Sequence, residues 1–186
     1  TSDSWVDQGT EISVGTNVLD FDAVRDGTNN KTVLDLGSGI LSDDRWVLRF
    51  KWVIGTSASV SGSIPIFYMG ICDQIESVAS TNASNTGLYA EVSCGTSQAI
   101  NFMSQANGDL NSGSYEYTFT QQPSVGTYYV EFIKSGNLAG EMNIYSDDTY
   151  STLIEGSGTQ ALQNTDSLRY VFFSNYPSGT STDDFI

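Results

Sequence analysis

Histidine is absent from this chain of 186 residues, which limits the chemistry that it can perform. Without histidine the chain has neither a Ser-His-Asp nor a Cys-His arrangement for nucleophilic catalysis, and it has no histidine ligand for zinc. No apolar run approaches the roughly 18 residues that a membrane-spanning helix needs. The sequence therefore predicts that the chain is not a triad hydrolase and does not insert into a membrane.

Basic residues are also scarce, since 7 lysines and arginines stand against 22 acidic side chains and the net charge is −15. Such a charge repels the phosphates of nucleic acids and the surfaces of anionic membranes. We therefore expect no nucleic-acid partner. The acidic excess has two interpretations: solubility of a secreted protein, or a cation site among the acids.

Only two cysteines are present, Cys72 and Cys94. If their segments form neighbouring antiparallel strands, Cys72 lies opposite Leu88 and Cys94 lies opposite Ile66, which separates the thiols by roughly 20 Å. That distance exceeds the ~7 Å limit between the Cα atoms of a disulfide. A bridge therefore requires the 73–87 segment to fold back or the strands to pair differently. The alternative is two buried thiols.

Alternating apolar and polar residues are the main structural signal that is present. Apolar side chains occupy one face of Trp46–Ile54, and the same period of two recurs over residues 128–134 and 141–145. Further strands are predicted between turn signals, at Val18–Phe21 and at residues 32–36, 64–71, 88–94, 115–119, 167–174 and 183–186. This pattern predicts an all-β fold, a two-sheet antiparallel β-sandwich of the jelly-roll type, with residues 1–186 as a single domain. The chain is expected to be a mature secreted protein or a piece of a larger surface protein.

Residues of the opposite parity on these strands point away from the core. Tyrosine rings on such a face offer flat apolar surfaces to sugar rings, and charged and amide groups supply directional hydrogen bonds. The predicted ligand-binding residues are Arg49, Lys51, Tyr89, Glu91, Tyr129, Glu131, Asn143, Tyr145 and Arg169. The alternative is cross-strand pairing that stabilises the sheets without any ligand.

Three stretches resemble the concanavalin A-like lectin/glucanase superfamily, and within it the laminin G-like jelly rolls of large surface proteins. They are the aromatic strand at residues 46–52, the Tyr-rich hairpin at residues 128–145 and the segment at residues 182–186. The resemblance implies a concanavalin A-like jelly roll. It covers most of the chain but describes mainly how a core alternates, so it supports the fold better than a function.

Many members of that superfamily hold a structural calcium ion near the joined chain ends. The resemblance therefore implies Asp183 or Asp184 as a calcium ligand, together with Asp20 or Asp22, because oxygen donors from separate segments suit this hard cation. The alternative is that these are solvated surface acids. No other cofactor is expected.

Glycan-cleaving relatives place two or more carboxylates on one strand, in an E-x-D-x-E type of pattern. Here Glu91, Glu116, Glu131 and Glu141 stand on four different predicted strands. A glycosidase needs two carboxylates about 5–10 Å apart, and no strand with such an arrangement is evident. We therefore predict that the chain is not an enzyme.

The expected function is a non-catalytic carbohydrate-binding or adhesion module at the cell surface or outside the cell, with a glycan or surface polysaccharide as its partner. One alternative is a structural spacer of a surface protein or virion that contacts only protein. Another is a glycan-active hydrolase or lyase of the same fold.

Overall fold

The structure is a computed structural model that describes residues 5–7, 12–15, 18–21, 31–55, 64–74, 85–94, 98–108, 113–122 and 124–175. Every regular element in these ranges is a β-strand. The strands are β1 (Trp5–Asp7), β2 (Ile12–Gly15), β3 (Val18–Phe21), β4 (Lys31–Asp35), β5 (Trp46–Ile54), β6 (Ile64–Cys72), β7 (Asn85–Cys94), β8 (Ala99–Gly108), β9 (Ser114–Thr118), β10 (Gly126–Gly136), β11 (Ala139–Tyr145), β12 (Leu153–Gly156), β13 (Gln160–Ala161) and β14 (Tyr170–Asn175). No helix in these ranges is long and apolar enough to cross a membrane.

Two large antiparallel sheets form the sandwich that the alternation predicts. The first has seven strands in the order β1-β4-β14-β6-β7-β8-β9, and the second has the order β12-β11-β10-β5, with β13 added beside β11. A short pair, β2 and β3, forms a third sheet. The prediction of a two-sheet β-sandwich is confirmed.

The main core lies between the two large sheets. It is formed by the apolar side chains that alternate along the strands of both sheets and point inward. Among them are Trp52, Phe102, Val130 and Ile144, of which the last three are completely buried. Burying a large apolar side chain of this kind stabilises the fold by about 1.5–3 kcal/mol. The strand that the sequence marks most clearly, β5, begins and ends where its alternation predicts.

A second apolar cluster covers the opposite side of the seven-stranded sheet. It consists of Val33, Tyr68, Cys72, Tyr89, Met103 and Phe172, all of them buried. Gly70 makes room for it, because a Cβ atom at this position would collide with the backbone of Leu88 and Tyr89. The seven-stranded sheet is therefore buried on both faces, which the alternation of its strands does not indicate.

The strand β8 is not among the predicted strands, although it lies in the middle of the β7-β8-β9 ladder. Its alternation is hidden because Asn101, Ser104 and Gln105 are buried together with its apolar residues. In a strand that is buried on both faces, polar side chains no longer mark the face that meets water.

The ladder between β6 and β7 settles the position of the cysteines. Cys72 lies opposite Gly87 and Cys94 lies opposite Ile64, so the predicted partners were wrong by one and two positions. From position 64 to position 72 the strand rises about 26 Å at 3.3 Å per residue. This register keeps Cys72 and Cys94 too far apart for a disulfide between them.

Candidate functional site

Six of the nine predicted ligand-binding residues meet on the outer face of the five-stranded sheet. The register places Tyr129 between Lys51 and Tyr145. One row along, it places Glu131 between Arg49 and Asn143. Directly opposed side chains of neighbouring strands lie in contact range. Two rows across three strands therefore form one surface, here called the tyrosine face, to which Tyr150 also belongs.

Glu131 is the centre of the tyrosine face, and its side chain is only 4% exposed. Its Oε1 accepts a hydrogen bond from Nε of Arg49 at 2.7 Å and forms a salt bridge with Nη2 of the same guanidinium at 2.6 Å. Its Oε2 accepts from the hydroxyl of Tyr145 at 3.1 Å and from the amide of Asn143 at 3.3 Å. A carboxylate has about four acceptor positions, and three protein hydrogen bonds together with the salt bridge engage both oxygens of Glu131.

Tyr150 lies over this surface from the loop that joins β11 to β12. Its ring meets the rings of Tyr145 and Tyr129 edge to face, at centroid distances of 5.5 Å and 6.0 Å. The Cζ atom of Arg49 lies 4.7 Å from the centroid of the same ring, in cation–π range. All three tyrosines are half-exposed, so the tyrosine face presents aromatic surface to solvent beside a cation.

Asp147 holds the loop that carries Tyr150. Its carboxylate accepts from the backbone amides of Thr152 at 2.6 Å, Thr149 at 3.0 Å and Ser151 at 3.3 Å, and also from the hydroxyls of Thr149 and Ser151. The pKa of Asp147 lies well below its usual range, mainly because the Thr149 side chain donates a hydrogen bond to the carboxylate. Tyr150 itself has a φ of +54°, a conformation that few non-glycine residues adopt. A set of five hydrogen bonds to one carboxylate stabilises this loop geometry.

The hydroxyls of Tyr145 and Tyr150 are neutral at physiological pH. Burial raises the pKa of Tyr145, and the hydrogen bond that it donates to Glu131 raises it further. Burial likewise raises the pKa of Tyr150, although the positive charge of Arg49 opposes this effect. Both side chains are therefore hydrogen-bond donors rather than anions at neutral pH.

Tyr89 and Glu91 do not belong to the tyrosine face, and their prediction as an exposed ligand site was wrong. They lie on β7, on the side of the seven-stranded sheet that the second cluster covers, and are 0% and 2% exposed. Glu91 accepts from Asn101, Tyr115, Tyr68 and Ser93 at 3.1–3.4 Å. Burial raises the pKa of Glu91, and these four neutral donors only partly offset that effect.

Arg169 was also predicted to point outward with this group, and it lies elsewhere. It stands just before β14, where it donates two hydrogen bonds to Asp35 at 2.6 Å and 2.7 Å. Its guanidinium lies 4.9 Å from the ring of Tyr170. It is therefore part of an ion pair on the seven-stranded sheet and not part of the tyrosine face.

The calcium ligands that the resemblance implies cannot be placed around one site. Asp22, Asp183 and Asp184 lie outside the described residues. Asp20 lies on β3 opposite Ser13 of β2, and only its backbone position is described. Within the described ranges, no three acidic or cysteine side chains are grouped so that they could hold a metal ion. The calcium site stays a prediction.

Sequence reasoning missed Tyr150 and Asp147. Both belong to the segment Ser146-Asp147-Asp148-Thr149-Tyr150-Ser151. An aspartate followed by serine and threonine between two strands is typical of a turn in which the side chain accepts backbone amides. That signal predicts the turn, but it does not predict that the turn folds back over the sheet.

Comparison with solved structures identifies the fold. A legume lectin-like domain from Entamoeba histolytica superposes with a TM-score of 0.61 at 12% identity and covers 97% of this chain and 85% of its own. Lectin II from Ulex europaeus superposes with a TM-score of 0.59, and lectin UEA-II complexed with galactose superposes with a TM-score of 0.58. Each is 12% identical, and each superposition covers 98% of this chain and 89% of the lectin. The chain has a concanavalin A-like fold. No family model and no curated protein matches its sequence.

Proposed function

We propose that this protein is a non-catalytic carbohydrate-binding module and that the tyrosine face is its binding surface. The observation that carries the proposal is the grouping of the half-exposed rings of Tyr129, Tyr145 and Tyr150 around the guanidinium of Arg49. Rings of this kind stack against the C–H surfaces of sugars, and nearby donors fix the orientation of the hydroxyls. The lectins with the same fold, one of them solved with galactose, support a glycan as the ligand class.

The bonding of Glu131 supports binding rather than cleavage. Hydrolysis of a glycoside needs two carboxylates that can act on the substrate and on water. Because Arg49, Asn143 and Tyr145 engage both oxygens of Glu131 and its side chain is only 4% exposed, this carboxylate is poorly placed to act on a substrate hydroxyl or a water molecule. The acidic composition and the glycan ligand together favour a location outside the cell or at its surface, which is part of the proposal.

A glycan array with the whole chain tests the proposal. The wild-type protein is expected to bind a restricted set of glycans, and both Tyr129→Ala and Tyr150→Ala are expected to lose these signals. The matched control is Tyr170→Ala, which removes a tyrosine that lies beside an arginine on the other sheet. Each variant is checked by its thermal unfolding midpoint. Equal binding by all four proteins, or no bound glycan at all, would contradict the proposal.

A structural module that contacts only protein is the second candidate. Val47, Val53 and Leu153 are about half exposed around the tyrosine face. An apolar margin of this kind is also common at protein interfaces. This candidate would be favoured if the glycan array stays empty and the protein dimerises or captures a protein partner. Val53→Ser and Leu153→Ser should then abolish that association.

A further inference from the structure

The cations of the tyrosine face indicate which glycans it takes. The structure describes the side chains of five basic residues besides the backbone of Lys31, and two of them, Arg49 and Lys51, stand two residues apart on the outer side of β5. Of the others, Lys134 is buried, Arg169 is paired with Asp35 and Arg45 is exposed just before β5 begins, four residues from Arg49. In a chain with a net charge of −15 this pair is a local exception.

Both cations have hydrogen-bonding capacity left for a ligand. Arg49, which has five N–H groups, contacts Glu131 through Nε and Nη2, and its side chain is still 55% exposed. Lys51 is exposed, and it belongs to neither of the two ion pairs found in the described part of the chain. An ammonium group has three donors and no acceptor. The β5 side of the tyrosine face therefore offers donors that no acceptor in the described part of the chain uses.

Acceptors are not available at the same place. Both oxygens of Glu131 are engaged by Arg49, Tyr145 and the amide nitrogen of Asn143. Other carboxylates in the described part of the chain lie towards β11, where Glu141 stands on that strand opposite Ile133 and Asp148 stands in the loop beside Tyr150. The tyrosine face is thus polarised, with cations along β5, acids on β11 and in the loop after it, and aromatic rings between them.

We propose that the tyrosine face selects short acidic glycans, with a carboxylate or a sulfate ester of the sugar held by Lys51 and Arg49 while the ring lies on Tyr129 and Tyr150. This inference rests on the proposed function and names the substrate class of the same site. Charge-assisted hydrogen bonds to an anion are stronger than bonds to a neutral hydroxyl. Long polyanions bind less well than short ones, since their further charges meet Glu141 and Asp148.

Isothermal titration with galactotriose, trigalacturonate, the methyl ester of trigalacturonate and 6-sulfated galactotriose tests the inference, because these trisaccharides share one ring and differ at C6. We expect trigalacturonate or the sulfated sugar to bind about fivefold more tightly than the uncharged pair, which corresponds to about 1 kcal/mol for an exposed ion pair. The two charged sugars distinguish a carboxylate from a sulfate as the preferred group. Lys51→Gln should remove most of that advantage, and the control Arg45→Gln should leave it unchanged.

Equal affinities for all four sugars, with no effect of Lys51→Gln, would overturn the selectivity and leave glycan binding itself intact. If none of the four binds, the glycan array decides. Array signals confined to neutral glycans would overturn the selectivity alone, and an empty array would overturn the proposed function with it.

Discussion

The strands β7 and β10 carry the same Tyr-x-Glu pattern but lie in different surroundings. On β7, Tyr89 belongs to the second apolar cluster and Glu91 is buried on the same side of the sheet. On β10, Tyr129 is half-exposed, and Glu131 is held by Arg49 at the base of an open surface. Alternation thus tells which side chains point away from the main core, but it does not tell whether that outer side meets water.

The two glutamates also differ in what neutralises them. Glu131 has a guanidinium as its partner, whereas the described donors to Glu91 are all neutral. A buried carboxylate without a cationic partner is costly to ionise. A cation therefore compensates the carboxylate of Glu131, whereas ionisation of Glu91 lowers the stability of the fold.

The largest expected effect is the difference in stability between a variant of Tyr89 and a variant of Tyr129. Tyr89→Ala should lower the free energy of unfolding by about 3–5 kcal/mol, because it leaves a cavity between Tyr68 and Phe172. Tyr129→Ala is the matched control and should cost about 1 kcal/mol, since its ring is already in contact with water. Urea unfolding followed by fluorescence measures both values. Similar losses would mean that the two faces are equally covered.

Removing the guanidinium should make Glu131 resemble Glu91. Arg49→Met leaves a buried carboxylate with only neutral donors, and we expect it to lower the free energy of unfolding by about 1–2 kcal/mol. The double variant Arg49→Met/Glu131→Gln should lose less than the sum of the two single changes, because the unpaired charge is gone. Strict additivity in this double-mutant cycle would show that the ion pair contributes nothing.

The pH dependence of stability should reveal Glu91. Since burial raises its pKa above the ordinary value of 4.5, the folded state binds the proton more tightly than the unfolded state does. The free energy of unfolding of the wild type should therefore fall, relative to Glu91→Gln, as the pH rises from about 4.5 through the raised pKa. Urea unfolding at a series of pH values gives this difference, and Asp148→Asn corrects for the change in net charge. Parallel curves for wild type and Glu91→Gln would refute the raised pKa.

The smallest expected effect concerns the loop that carries Tyr150. Asp147→Ala removes the acceptor of five loop hydrogen bonds and should weaken glycan affinity about threefold to tenfold. The reason is that the ring of Tyr150 must then become ordered on binding, which costs free energy. Asp148→Ala, in the same loop, is the control and should not weaken binding. A similar loss in both variants would assign the effect to charge rather than to the position of the ring.

Much of the architecture could be predicted from local alternation. The bounds of β5 and the shared parity of Arg49, Glu131 and Asn143 follow from a period of two, because the five-stranded sheet buries only one face. The position of Tyr150 could not be predicted, since it depends on a loop that crosses the sheet. The burial of Tyr89 and Glu91 depends on the second cluster, which involves Val33 and Phe172, residues distant in sequence.

The most direct test of the account is chemical-shift mapping with a glycan that the array identifies. Titration of the isotope-labelled protein should shift the amide signals of residues 49–51, 129–131, 143–145 and 147–151, and should leave those of β7 and β8 in place. Shifts confined to the seven-stranded sheet, with the signals of Tyr129, Tyr145 and Tyr150 unchanged, would contradict the claim that the tyrosine face binds the glycan.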